Sequence, residues 1–126
     1  MKTILTSLLL LITSAAMAAD KTKHVDADGA AKLIAEGKVV IVDVRTREEF
    51  SEGHLKEAQN LDVLEPDFEA RLGKLDKSKP VLVHCQAGGR STRSLPLFEK
   101  LGFKEVYHLD GGYGGWVDAG KPVVKP

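Results

Sequence analysis

The residue types best suited to chemistry are concentrated in one short stretch, HCQAGGRS, at residues 84–91. It contains Cys85, the only cysteine of the 126-residue chain, and Arg90 follows after four intervening residues. Gly88 and Gly89 leave backbone N–H groups free to point inward, and N–H groups turned to one side bind anions. A sulfur in such a nest, near an arginine and a helix N-terminus, has a lowered pKa and exists as the nucleophilic thiolate. The stretch therefore predicts a reactive cysteine.

Two chemistries suit a thiolate that faces an anion. Cys85 could attack phosphorus, or it could attack the outer sulfur of a small donor and hold that sulfur as a persulfide. Cysteine-dependent phosphatases place five residues between their cysteine and arginine, whereas only residues 86–89 lie between them here. A persulfide needs a tighter ring of donors than a phosphate, and no acidic residue is marked by its spacing as a phosphatase general acid. The short loop therefore favours persulfide formation over attack on phosphorus.

The first eighteen residues have the pattern of a secretory signal peptide. Lys2 provides the positive start, residues 4–12 an apolar stretch, and Ala16-Met17-Ala18 a cleavage site of small residues. The apolar stretch is shorter than the about 20 residues that cross a bilayer. We therefore expect cleavage after Ala18, one domain at residues 19–126, and a periplasmic or secreted protein.

The charge of the remaining chain excludes some classes of function. Without Lys2 it carries 17 basic and 18 acidic residues, with no basic block for nucleic acid and no apolar stretch for a membrane. A single thiol cannot form an intramolecular disulfide, and an exported protein with one free cysteine is unusual. The simplest explanation of a lone cysteine is that it is buried and inert. Whether Cys85 is inert or reactive therefore has to be judged from the elements around it.

Strand and helix patterns alternate along the chain, which favours an α/β domain with a mainly parallel sheet. The predicted helices are residues 26–37, 46–53, 67–75 and 90–101, with a further short helix within residues 111–122. The predicted strands are residues 39–44, 58–61, 81–85 and 105–109. Asp43 and Cys85 each end a β-branched strand. In such sheets ligands bind beyond the carboxyl ends of the strands. The position of Cys85 at such an end therefore favours a reactive cysteine over an inert one.

Three segments together resemble the single-domain rhodaneses, in particular the exported type typified by phage-shock protein E. They are VVIVDVRTREEFSEGHLKEAQNL at residues 39–61, VLVHCQAGGRS at residues 81–91 and LGFKEVYHLDGGYGGWVDAGKPV at residues 101–123. The resemblance implies a rhodanese-like fold, with a central, mainly parallel sheet of about five strands flanked by helices.

The resemblance also implies a sulfurtransferase that carries a persulfide on Cys85. The backbone that would cradle the sulfur runs through Gln86, Ala87, Gly88, Gly89 and Arg90. The donor would be a small anion such as thiosulfate, the acceptor cyanide, a thiol or a dithiol, and no cofactor is implied. The alternatives are a non-enzymatic sulfur or polysulfide carrier and a phosphatase or arsenate reductase on the related fold.

Other family positions are expected to be structural. Asp43 and Arg45 belong to this group, and Arg45 has a possible ion-pair partner in Glu49, four residues later. His54 is expected to support a turn, because a thiolate that is already formed needs no base.

Two further expectations concern metal binding and the helix after the loop. His24, His84 and His108 have no metal-ligand spacing with one another or with Cys85, so no metal site is predicted. Pro96 falls inside the helix that follows the loop, which predicts a kinked or late-starting helix and affects where Arg90 points. The alternative for Arg90 is a side chain directed into solvent.

Overall fold

Strands and helices alternate along residues 21–126, the part of the chain that the computed structural model describes. The strands are β1 (Lys23–Val25), β2 (Val40–Asp43), β3 (Gln59–Asn60), β4 (Val81–His84) and β5 (Val106–Leu109). The helices are α1 (Ala27–Ala35), α2 (Arg47–Glu52), α3 (Phe68–Leu72), α4 (Gly89–Lys100) and α5 (Gly112–Asp118). The predicted signal peptide at residues 1–18 lies outside the described residues.

The five strands form one sheet in the order β1-β5-β4-β2-β3, and each strand pair in it is parallel. The predicted α/β fold with a sheet of about five strands is therefore confirmed. β1 was not assigned from the sequence. It joins the edge of the sheet by pairing with β5, in a register that sets His24 beside His108.

Helices cover both faces of the sheet because alternate residues of its central strands point to opposite sides. Val81 and Val83 of β4 pack into a core beneath α3 and α4, whereas Leu82 belongs to a second core with Trp116 of α5. All residues of β4 are buried, which explains why its sequence is apolar throughout rather than alternating. Within residues 21–126, no helix is both long and apolar enough to cross a bilayer.

Local signals define the ends of the first two helices, and Asp26 and Gly53 mark the ends that were predicted for them. Asp26 caps α1 by accepting a hydrogen bond from the Gly29 N–H at 2.8 Å. Thr46 and Glu49 form a reciprocal capping box at the start of α2, which ends at Gly53.

Of the two alternatives predicted for α4, a kink or a late start, the late start is wrong. This helix begins at Gly89 and continues through Pro96 to Lys100. Pro96 lies on an exposed face, where water can bind the carbonyl group that loses its helical partner. The first turn of α4 therefore remains next to Cys85.

Candidate active site around Cys85

Cys85 lies between the end of β4 and the start of α4, at the carboxyl edge of the sheet. Only 1% of its surface is exposed. Its Sγ atom accepts hydrogen bonds from the Gly88 N–H at 3.1 Å and from the Ser91 hydroxyl at 3.2 Å. The thiol is therefore enclosed by polar donors and is not simply packed among apolar side chains.

These donors determine the ionisation of Cys85. Burial alone would raise the pKa of the thiol, because it disfavours the charged form. The Ser91 hydroxyl and the backbone N–H groups of Ser91, Ala87 and Gly88 stabilise the thiolate and outweigh burial, so the pKa of Cys85 is lowered. The direction agrees with the sequence prediction. The contribution of Ser91 was missed, although its position one residue after Arg90 marks it as part of the first helical turn.

Glycine is required at two positions for the loop to approach its neighbours. Gly88 has a φ of 105°, and a Cβ atom there would lie 2.5 Å from the Asp110 carbonyl oxygen. Gly112 has a φ of 62°, and its Cβ would lie 2.6 Å from the Gln86 oxygen and 2.7 Å from the Cys85 oxygen. Both positions require left-handed backbone and leave no room for a side chain.

The start of α5 fixes the outer side of the same loop. The Tyr113 N–H donates to the Cys85 carbonyl at 2.8 Å, and the Gly114 N–H donates to the Gln86 carbonyl at 2.9 Å. The loop backbone thus presents N–H groups to the sulfur and has carbonyl groups anchored to α5. Within the glycine-rich stretch at residues 111–115, Gly112, Tyr113 and Gly114 are therefore part of the site.

Arg90 is partly buried beside the loop and is bound to Glu49. Its two terminal nitrogens donate to the two carboxylate oxygens at 2.6 and 2.8 Å. The hydrogen bond from Arg90 lowers the pKa of Glu49 to about 2. The pKa of Arg90 is raised, chiefly by Glu49, with a smaller contribution from the negative charge of Cys85. Arg90 therefore neither points freely into solvent nor directs its guanidinium donors to the sulfur.

The predicted pairing of Arg45 with Glu49 is wrong. Arg45 is 2% exposed and turns inward, where its Nε and Nη2 atoms donate to the Asp43 carboxylate at 2.8 to 3.1 Å. Nη2 also donates to the Gly53 carbonyl at 2.7 Å, and Nη1 donates to the Gln86 side chain at 3.3 Å. A buried ion pair thus connects β2 to the active-site loop. The helical spacing rule failed because Arg45 precedes α2 and lies outside it.

The histidines next to the loop and next to α2 have different environments. His54 stacks on Phe50, with 4.0 Å between ring centroids, and hydrogen-bonds the Leu55 carbonyl. His84 is fully buried, and its Nδ1 donates to the Cys85 carbonyl at 2.9 Å. Its Nε2 has no hydrogen-bond partner within residues 21–126 and lies 3.7 Å from the Asp43 carboxylate. Burial lowers the pKa of His84, so this side chain is neutral.

His24 and His108 lie close together, although their separation in the sequence gives no sign of it. Parallel pairing of β1 with β5 brings them together, and the Nδ1 atom of each lies 2.6 Å from the same Asp110 carboxylate oxygen. The potential ligand atoms of the three residues lie within 4.8 Å of one another. Histidine and aspartate are metal-binding types, but the hydrogen bonds between them are sufficient to account for the cluster.

The sequence of this chain is similar to those of known rhodanese-like proteins. A family model described as the rhodanese-like domain matches residues 26–119. Thiosulfate sulfurtransferase GlpE of Coxiella burnetii (strain RSA 331 / Henzerling II) is 37% identical over 85 residues, which cover 68% of this chain and 78% of that protein. Protein HIGH ARSENIC CONTENT 1, mitochondrial, of Arabidopsis thaliana is 37% identical over 95 residues, which cover 68% of this chain but only 56% of that longer protein.

A solved structure shows the same architecture. The rhodanese-like domain of the Alr3790 protein from Anabaena sp. superimposes with a TM-score of 0.72 at 25% sequence identity. The match covers 82% of this chain and 79% of that one.

Proposed function

Because the chain belongs to the rhodanese-like domain family, we propose that it is a sulfurtransferase of the thiosulfate type. In this proposal Cys85 takes a sulfane sulfur from a small anionic donor and passes it to a thiol, a dithiol or cyanide. The observation that carries the proposal is the Cys85 sulfur itself, which is buried, accepts hydrogen bonds from Gly88 and Ser91, and has a lowered pKa.

The first step loads the enzyme. The Cys85 thiolate attacks the outer sulfur of thiosulfate, forming a new S–S bond while the bond from that sulfur to the sulfonate breaks. Sulfite leaves with the bonding electron pair, and Cys85 becomes a persulfide with one negative charge. The Ala87 and Gly88 N–H groups and the first turn of α4 stabilise an anion at this position.

The second step returns the enzyme to its starting state. A thiolate or cyanide attacks the terminal sulfur, and Cys85 leaves as a thiolate. The same donors that lower its pKa make it a good leaving group, since the negative charge returns to an atom already surrounded by N–H and O–H groups. One cysteine is sufficient for this cycle.

The proposal includes export. Residues 1–18 have the pattern of a cleaved signal peptide, and the resemblance to phage-shock protein E extends over residues 39–61, 81–91 and 101–123. In the periplasm or outside the cell, a thiol or dithiol is the expected acceptor.

The test measures loading and turnover separately. Residues 19–126 are incubated with thiosulfate, intact mass is examined for one added sulfur, and thiocyanate is followed after cyanide is added. Both signals are expected, both are lost in Cys85→Ser, and both persist in His54→Gln, which alters a side chain that stacks on Phe50 and hydrogen-bonds the Leu55 carbonyl.

Two other results would contradict the proposal. Loading of Cys85 that neither cyanide nor a small thiol can discharge would indicate a carrier. Absence of loading together with hydrolysis of an aryl phosphate would indicate a phosphatase.

A further inference from the structure

The Ser91 hydroxyl lies among three groups that can accept its single proton. Its Oγ is 3.2 Å from the Cys85 sulfur, 3.2 Å from the Gly88 carbonyl oxygen and 2.7 Å from Nε2 of His108. A hydroxyl has one hydrogen to donate, so it cannot serve all three groups at once. The shortest of these contacts is to His108, and the protonation of that ring decides where the hydroxyl proton points.

The other side of the His108 ring is fixed by a carboxylate. Nδ1 lies 2.6 Å from the Asp110 Oδ1 atom, and since an ionised carboxylate only accepts hydrogen bonds, Nδ1 carries a proton. If Nε2 has none, it accepts the Ser91 proton and the Cys85 sulfur loses its hydroxyl donor. If Nε2 is protonated, it donates to the Ser91 oxygen, and the hydroxyl proton is available to the sulfur. A thiolate bonded to Ser91 therefore goes with a doubly protonated His108.

We propose that Ser91, His108 and Asp110 form a proton relay that takes the proton of the Cys85 thiol. The thiol proton moves to the Ser91 oxygen while the original Ser91 proton moves to Nε2 of His108. The products are a thiolate that accepts a hydrogen bond from Ser91 and an imidazolium that donates to Ser91 and Asp110, so one proton leaves sulfur and one arrives on nitrogen. His108 is a positioning residue in this relay, because it acts on the sulfur only through Ser91.

The charged groups around the relay favour this separation of charge. Asp110 supplies the negative charge next to the imidazolium and shares its oxygen with His24 of β1, whose ring centroid lies 5.4 Å from that of His108. From β4, His84 is neutral because burial lowers its pKa.

The remaining charged groups lie near the Cys85 sulfur or line surface clefts next to Asp110 and His24. On the sulfur side, the charge of Arg90 from α4 is balanced by Glu49 from α2. Asp26 and Asp28, at the start of α1, line a cleft with Asp110, and Glu99 of α4 lines another with His24.

This inference deepens the proposed function, on which its catalytic significance rests, but its test does not require sulfur transfer. The measurements are the rate of Cys85 alkylation by iodoacetamide and the ultraviolet absorbance of the thiolate, each as a function of pH. In the wild type both curves should show a histidine ionisation in addition to that of the thiol. His108→Gln should remove this step and slow alkylation near neutral pH by about tenfold, equivalent to roughly one pKa unit on the thiol.

Ser91→Ala should give the same change, since it interrupts the relay. Ser94→Ala provides the matched control on α4, because it removes a buried hydroxyl whose one hydrogen bond within residues 21–126 goes to the Ser91 carbonyl at 2.6 Å. His54→Gln is the control for loss of a histidine outside the relay. Alkylation curves of His108→Gln that overlay the wild type would overturn the proposal.

A direct measurement of His108 keeps the proposal testable if these variants fold poorly. The ¹⁵N chemical shifts of the His108 ring distinguish one ring proton from two. In the reduced wild type near neutral pH, His108 should carry two protons, whereas in Cys85→Ser it should carry one. The same His108 protonation with and without the thiol would refute the relay. Failure of sulfur loading alone would refute only the proposed function.

Discussion

Replacing Gly112 by alanine should damage the active-site loop from outside it. Gly112 has a φ of 62°, and a Cβ atom there would lie 2.6 and 2.7 Å from the carbonyl oxygens of Gln86 and Cys85. Because even close C–H···O contacts have C···O distances of about 3.3 Å or more, α5 or the loop must move by roughly 0.6 to 0.7 Å. Left-handed backbone costs alanine about 1–2 kcal/mol, and displacement in a packed region adds about 1–3 kcal/mol.

We therefore expect Gly112→Ala to lower the free energy of unfolding by about 2–5 kcal/mol in urea titrations. Alkylation of Cys85 and sulfur loading should slow as well, because the displaced carbonyl groups belong to the loop that holds the sulfur. Gly115→Ala is the matched control on the same helix. A Cβ atom there meets nothing within 4 Å, and alanine should stabilise the helix by up to about 1 kcal/mol. A Gly112→Ala protein with wild-type stability and wild-type loading rate would refute the steric argument.

The remaining predictions concern the buried ion pair, pH and export. Arg45→Ala should lower the free energy of unfolding by about 3–5 kcal/mol, measured by urea titration, because it leaves the fully buried Asp43 carboxylate without its partner. An unchanged midpoint and slope would contradict this. The pKa of Glu49 is lowered from 4.5 to about 2, so its pairing with Arg90 stabilises the fold above pH 4.5 and is lost as pH falls through about 2. Glu49→Gln should remove about 1 kcal/mol of that acid-dependent stability, after allowance for solvent screening, and identical acid-unfolding curves would exclude the effect. Expression with the native N-terminus should yield an exported form whose mass corresponds to cleavage after Ala18, and retention of the full-length chain in the cytoplasm would contradict it.

Local signals were sufficient for most of the fold. The β-branched runs predicted β2 and β4, and Asp26 and Gly53 marked helix ends because capping depends on neighbouring residues only. β1 was missed because its three residues are mostly exposed and carry no apolar alternation. Its position depends on pairing with β5, which no local pattern records.

The part of the site that is formed by consecutive residues could be predicted from the sequence. The spacing of Cys85 and the glycines predicted a turn whose backbone N–H groups face the sulfur, because strand, turn and helix follow one another without interruption. The ion pairs were not predictable in the same way. Glu49 binds Arg90, which lies 41 positions away, and Arg45 binds Asp43 because both side chains turn into the interior. Which carboxylate each arginine binds depends on burial and on the register of strands that are distant in the sequence.

The pairing of β1 with β5 also determines the order in which the site can be completed during synthesis. β2 and β4, which align Asp43 with His84, are both present once about two thirds of the chain has been made. The contact of His24 and His108 with Asp110 must wait until nearly the whole chain has been made, because it joins the first described strand to the last. Closing such a long loop is entropically costly and slow compared with local contacts. A chain interrupted before β5 would contain the cysteine and its glycine-rich turn but would lack both the strand that carries His108 and the helix that anchors the turn from outside.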